Sequence, residues 1–347
     1  MRKKPSSLKE FIEHANVNLS REKEEDYSSS EDEDDRYPNL KVQLVESNWA
    51  NGEIPLIENF TSWNKLNDTN HWYLSESDGK YVVLNRVSNR VWALYTMMSI
   101  GDFTKIINKW IQSSLKLDNC WLSTGQIEYV GKTAMGWKES GIGIKYEDTL
   151  SADVFHSKVS LKAWYGNNDL ITEMLKTARE VFSISSIRWK DKTGATDSSS
   201  EWFSNGKITF HAASGMEDVI RCVSTISDKY NEALEEATKL RDLEKGAFEF
   251  EFKQKINLEN YSDAAGKGRG NLKLWMTEVE SYDDFRRFQG VDLHTWDRLF
   301  LDLGTDYAFM TIPGKGCVNA VPRLVSVQGE TALGKTRILY NGNEIFD

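Results

Sequence analysis

Met216, Val219, Ile220, Val223, Ile226, Tyr230, Leu234, Ala237 and Leu240 recur at three- and four-residue spacing behind Ser214-Gly-Met-Glu217. That spacing predicts a helix of about seven turns with one apolar face, opened by a capping box in which Ser214 and Glu217 satisfy the first backbone N–H groups. So long a stripe must lie on a sheet or on other helices, and strand-like segments stand on both sides of it. His156-Ser-Lys-Val-Ser-Leu-Lys-Ala-Trp164 and Phe248-Glu-Phe-Glu-Phe-Lys253 alternate polar and apolar residues, the period-2 mark of a half-buried strand. Asn168-Asp169 caps a predicted helix carrying Leu170, Ile171, Met174, Leu175, Ala178, Val181 and Phe182. A strand over 184–190 and a loop over 192–200 lead to another strand over 206–212. The order strand, helix, strand, strand, helix, strand predicts an α+β protein with a central ferredoxin-like βαββαβ sandwich over 151–255. A superfold of this kind assigns no activity.

The flanks read differently. Residues 1–36 hold a short helix, capped by Ser7 and Glu10 and striped by Leu8, Phe11 and Ile12, followed by a disordered acidic arm; its rival role is an acidic tail docking on a basic partner with that helix as a recognition element. Residues 37–150 form a β-rich subdomain with a hairpin of 81–85 and 91–95. Its one helix carries Phe103, Ile106, Ile107, Trp110 and Ile111, and strand-like runs follow over 120–130 and 141–146. Residues 256–347 form a C-terminal α/β extension. It is expected to hold a strand over 272–276, a capping box at 281–284 with a helix over 293–303, and hairpin-like strands over 307–312, 324–328 and 337–340. Most of the 12 tryptophans are expected in the core.

The net charge of -10, from 43 basic and 53 acidic residues, excludes polyanion binding by bulk field; any nucleic-acid contact has to come from a local basic surface. No apolar run reaches the roughly 20 residues of a membrane span and no secretory h-region follows the start, so a soluble protein without membrane contact is expected. Cys120, Cys222 and Cys317 are odd in number and widely spaced. They argue against a disulfide framework and for a reducing, cytoplasmic location.

Several strings in the sequence bear on chemistry. Gly329-Glu-Thr-Ala-Leu-Gly-Lys-Thr336 matches the P-loop string, but a phosphate cradle needs a helix opening after the loop and the remaining chain reads as a hairpin, so the match is taken as chance. Glu249, Glu251 and Lys253 resemble the ExK of metal-dependent nucleases, with strand alternation as the simpler account. The five histidines have no close spacing, so neither a metal nor a cofactor is expected.

Placed on a ferredoxin-like sheet, His156 and His211 fall on adjacent strands. They share an open face with Lys158, Lys162, Trp164 and Lys207, an arrangement of cations and aromatics suited to single-stranded nucleic acid. The Gly-rich loop 264–273, with Lys267, Arg269 and Lys273, adds a flexible anion-binding segment. With no nucleophile–base pair in view, the expected function is a non-catalytic binding or assembly subunit. It engages a protein partner and possibly single-stranded nucleic acid; a nuclease or phosphodiesterase using Glu249, Glu251 and Lys253 and a purely structural assembly protein are the rivals.

Overall fold

The computed structural model of the chain describes residues 4–20, 39–49, 53–69, 71–147, 158–164, 176–177, 182–191, 198–244, 246–266, 273–331 and 336–346. The acidic arm, most of the helix expected over 168–182, His156, and Lys267 with Arg269 lie outside them. Helices and large antiparallel sheets make the protein α+β. Two compact units are assembled from discontinuous segments: 1–120, 129–139 and 188–228 form the first, and 121–128, 140–187 and 229–347 the second. Among the described residues no helix is long and apolar enough to cross a membrane.

In chain order the first eleven strands are β1 (Leu40–Ser47), β2 (Asn64–Lys65), β3 (Trp72–Ser77), β4 (Lys80–Arg86), β5 (Val91–Thr96), β6 (Leu117–Asn119), β7 (Lys138–Glu147), β8 (Lys158–Trp164), β9 (Ser186–Lys190), β10 (Ser199–Phe203) and β11 (Lys207–Ala212). The sheet of the first unit runs β2-β3-β4-β5-β1-β11-β10-β9, with β6 also paired to β1. Both faces of its centre are covered. Helix α1 (Leu8–Leu19) buries Phe11 against Trp72, Tyr81 and Tyr95, so it is part of this unit's core and not a free recognition element. The helical segment α2 (100–113), α-helical at both ends with a π-helical Thr104–Asn108 between, buries Phe103, Ile107, Trp110 and Ile111 in one cluster with Val45, Val82, Leu84, Trp92 and Leu94.

Burial on two faces forces the central strand β1 to satisfy its polar side chains internally. Lys41 Nζ donates to the Met98 carbonyl at 2.8 Å, and Gln43 Nε2 to the Asn205 carbonyl at 2.7 Å and Asn119 Oδ1 at 3.2 Å. Glu46 accepts from Arg90 Nε at 2.6 Å. Seven tryptophans are buried, among them Trp137 and Trp189, whose rings each pack at a tilt against that of Trp202.

The ferredoxin-like pairing does not form. β11 lies between β1 and β10, and β8 makes a hairpin with β7 in which Lys158 faces Glu147 and Lys162 faces Gly143. The expected fourth strand, β12 (Phe248–Glu251), belongs to a second sheet. Alternation marks a strand but leaves its partner open, and β10, which overlaps the expected loop 192–200 only at Ser199 and Ser200, takes the place beside β11. The run 120–130 is likewise helical from Thr124 to Tyr129.

The long helix is present as α3 (Met216–Glu244), one residue inside the expected cap, and the Met216 N–H donates to Asn16 Oδ1 at 2.7 Å. Its residues from Lys229 onward belong to the second unit, as do α4 (Leu258–Gly266) and α5 (Ala320–Thr331). The second sheet joins β12 to β13 (Leu274–Ser281), β14 (Phe285–Asp292), β15 (Arg298–Gly304), β16 (Tyr307–Thr311), β17 (Arg337–Tyr340) and β18 (Asn343–Glu344), in the order β13-β14-β15-β16-β12-β17-β18. The helix expected over 293–303 is therefore a hairpin, and the strand expected over 324–328 lies inside α5.

Leu274, Met276, Phe288, Leu299, Leu301, Leu303, Met310, Phe248, Phe250 and Ile338 form the buried face of this sheet. Tyr261 of α4 packs on Phe288, and Arg323 of α5 pairs with Asp292 of β14 at 2.8 Å with both side chains buried.

Two stability predictions follow from these contacts. The Leu8 and Lys9 N–H groups donate to the Asp68 carboxylate at 2.6 and 3.2 Å, and the Leu8 bond foremost holds that carboxyl below its ordinary value. Asp68→Ala lowers the melting temperature at pH 7. Because the folded-state pKa is depressed, the gap is full above the ordinary value near 4 and closes as pH falls through the lowered one; a gap that persists in stronger acid refutes the assignment. Arg323→Leu strands Asp292 as a buried unpaired carboxylate and costs about 3–5 kcal/mol in denaturant unfolding of the full chain.

Candidate docking face of the second sheet

The residues expected to form a cationic face are not gathered by the strand order. Lys162 and Trp164 are exposed neighbours on β8, with Nζ 5.6 Å from the indole centroid. Lys207 stands on β11 over the Phe203 ring at 3.7 Å, and His211 Nδ1 meets Asn39 Nδ2 at 3.3 Å. Lys158 opens β8. Lys273 is buried, with a left-handed φ of 47°, and its carbonyl accepts from the Leu293 N–H at 2.8 Å; it is not an exposed cation. In the nuclease-like triplet, Glu251 is held by Arg337 at 2.8 Å and Glu249 faces Phe309 and Leu339 across the sheet.

An open sheet face with aromatics does exist, on other strands. In the second sheet the register aligns Trp275, Val291 and Arg298 in one row, Thr277, Gln289, Phe300 and Thr311 in the next, and Arg287, Asp302, Phe309 and Glu249 in a third. These residues alternate with the buried ones, so all point to the side opposite the core. Trp275 is 58% exposed, Phe300 40% and Phe309 37%, and Tyr307 extends the strip with its ring 5.5 Å from Phe309. Large aromatic side chains left exposed on one outer face of a sheet point to an interaction surface.

The charges around the strip are largely neutralised in place. Arg287 grips Asp302 through two bonds of 2.8 and 3.1 Å and reaches Glu280 at 3.1 Å; the Asp302 bond leads in pushing its pKa upward, so it stays cationic. Arg337 is bound to Glu251, and among the described residues Arg298 has no ion-pair partner. Gly290 lets β13 and β14 close up: a Cβ there would stand 2.2 Å from the Trp275 carbonyl, so this glycine keeps the tryptophan's strand seated on the sheet.

The sequence did carry a signal for this face. Arg298-Leu-Phe-Leu-Asp-Leu alternates with period 2, but Leu293, Trp296, Phe300 and Leu303 also fit a helical spacing, and the Ser281 to Asp284 string favoured the helix. The choice between the two is made by pairing with β14 and β16.

A family model described as MJECL33-like protein matches residues 1–329. The protein MJECL33 of Methanocaldococcus jannaschii is 22% identical in an alignment that covers 83% of this chain and 83% of that protein.

Proposed function

The chain belongs to the MJECL33-like family, and for it we propose a non-catalytic assembly role in which the open face of the second sheet packs against the same face of a second copy. The observation that carries this reading is the exposed strip Trp275, Phe300 and Phe309 on one side of an antiparallel sheet. Aromatic and arginine side chains are the types that dominate protein–protein contacts. Charge complementarity favours a copy of the same face. Along β15 the order is Arg298, Phe300, Asp302, so a two-fold axis crossing the strands at Phe300 sets Arg298 over the row that holds the other copy's Asp302. Such isologous sheet-on-sheet packing buries the aromatics centrally and leaves the charges at the rim.

The same charges weigh against nucleic acid. Arg287 and Arg337 are already held by carboxylates, and Glu249, Glu251, Glu280 and Asp302 repel phosphate.

Sedimentation of the purified chain tests the reading. Wild type is expected to be dimeric, and Trp275→Ala and Phe300→Ala each to weaken the dimer by roughly 30-fold, the equivalent of about 2 kcal/mol at a central contact. Fluorescence anisotropy with labelled single-stranded RNA at low salt is expected to show no binding. A monomer at all concentrations, or a dimer indifferent to both substitutions, overturns the proposal.

A further inference from the structure

We propose that His294 and Cys317 form the protein part of a zinc site in the second unit, a role separate from the docking face. One ring nitrogen of His294 and the Cys317 sulfur lie within 4.8 Å of each other. Imidazole and thiolate bind zinc at about 2.0–2.1 and 2.3 Å, which places tetrahedral ligand atoms about 3.6 Å apart, inside that limit. His294 is fully buried, and neither of its ring nitrogens has a hydrogen-bond partner among the described residues. A buried imidazole in that condition is destabilising unless something supplies the missing bond. A metal ion at the nitrogen supplies it, and a neighbouring thiol is the second donor such an ion selects.

Both donors sit on backbone that is already fixed. His294 lies in the β14–β15 turn, where its N–H donates to Asp292 Oδ1 at 2.9 Å and the Trp296 N–H to the Asp292 carbonyl at 2.6 Å. Cys317 lies just before α5, and its carbonyl accepts from the Ala320 N–H at 3.4 Å. Arg241 donates to the Gly316 carbonyl beside it, and Tyr230 to Asn319 Oδ1 at 2.7 Å. The buried pair of Arg323 on α5 with Asp292 on β14 then ties the two segments together and balances the arginine charge next to the proposed cation. Rigid ligand-bearing segments are what a pre-organised site requires. Cys317 is partly exposed while Cys120 and Cys222 are fully buried, so this thiol is the one with a path for a metal ion to enter. Two protein donors leave the remaining positions to water or an added ligand.

Cobalt(II) added to the metal-free full-length chain is the direct probe. A sulfur-to-cobalt charge-transfer band that saturates at one equivalent is expected; Cys317→Ser removes it, and His294→Ala weakens binding by about tenfold or more, with circular dichroism confirming the fold. Alkylation of the wild-type protein, read by mass spectrometry, serves if either variant fails to fold: zinc slows modification of Cys317, with Cys120 and Cys222 as internal references. A wild-type chain without the band, a band kept in Cys317→Ser, or a Cys317 alkylation rate indifferent to zinc overturns the site.

Discussion

A strand sends successive side chains to opposite sides, so each residue that the second sheet buries commits its neighbours to the other side. Leu299, Leu301 and Leu303 face the core of this unit, and Arg298, Phe300 and Asp302 consequently face outward. The inner face is anchored by Tyr261 of α4 on Phe288 and by Arg323 of α5 on Asp292. The outer face carries Trp275, Phe300 and Phe309 in the open, where polar residues would be the ordinary choice for a face meant to stay in water. The aromatic strip is therefore a consequence of sequence and not of geometry: alternation fixes where these residues point, and only their identity is left to be explained by what the face does.

The first unit resolves the same constraint in the opposite way. Its central strands β1 and β5 are buried along their whole lengths because α1 covers one face and α2 the other. Alternation then gives no polar side to discard charges onto, and Lys41, Gln43 and Glu46 each reach a carbonyl, an amide or Arg90 inside the fold. Such satisfied polar groups specify one register of β1 against β5 and β11, since a one-residue slip separates every one of them from its partner.

Local pattern was legible wherever one period dominated. The stripe from Met216 to Leu240 became α3, the Phe248 and Phe250 alternation became β12, and the run from Tyr81 to Tyr95 became the β4–β5 hairpin. Two kinds of information were absent. Strand partners are set by contacts far apart in the chain, so β11 joined β1 where a ferredoxin-like order required β8. Helix α5 is buried from Ala320 through Leu324 and has no polar side in that stretch, so neither period shows there, and its β-branched Val321 and Val325 lean toward a strand. The candidate site was hidden for the same reasons: the outward face needs the register of four strands, and His294 with Cys317 share no spacing that marks a ligand pair.

The P-loop string shows why letters need their structural context. Gly329 lies in the last turn of α5 and β17 begins just beyond Thr336, so a helix opens the string and a strand follows it. A phosphate cradle requires the reverse, because the loop's N–H groups and the positive end of the following helix must both face the anion. Here the string begins in the carboxyl-terminal turn of a helix, the end that carries partial negative charge and disfavours phosphate. Of the eight letters that would bind a nucleotide ahead of a helix, Gly329 to Thr331 here close one, and β17, the neighbour of β12, begins directly after Thr336.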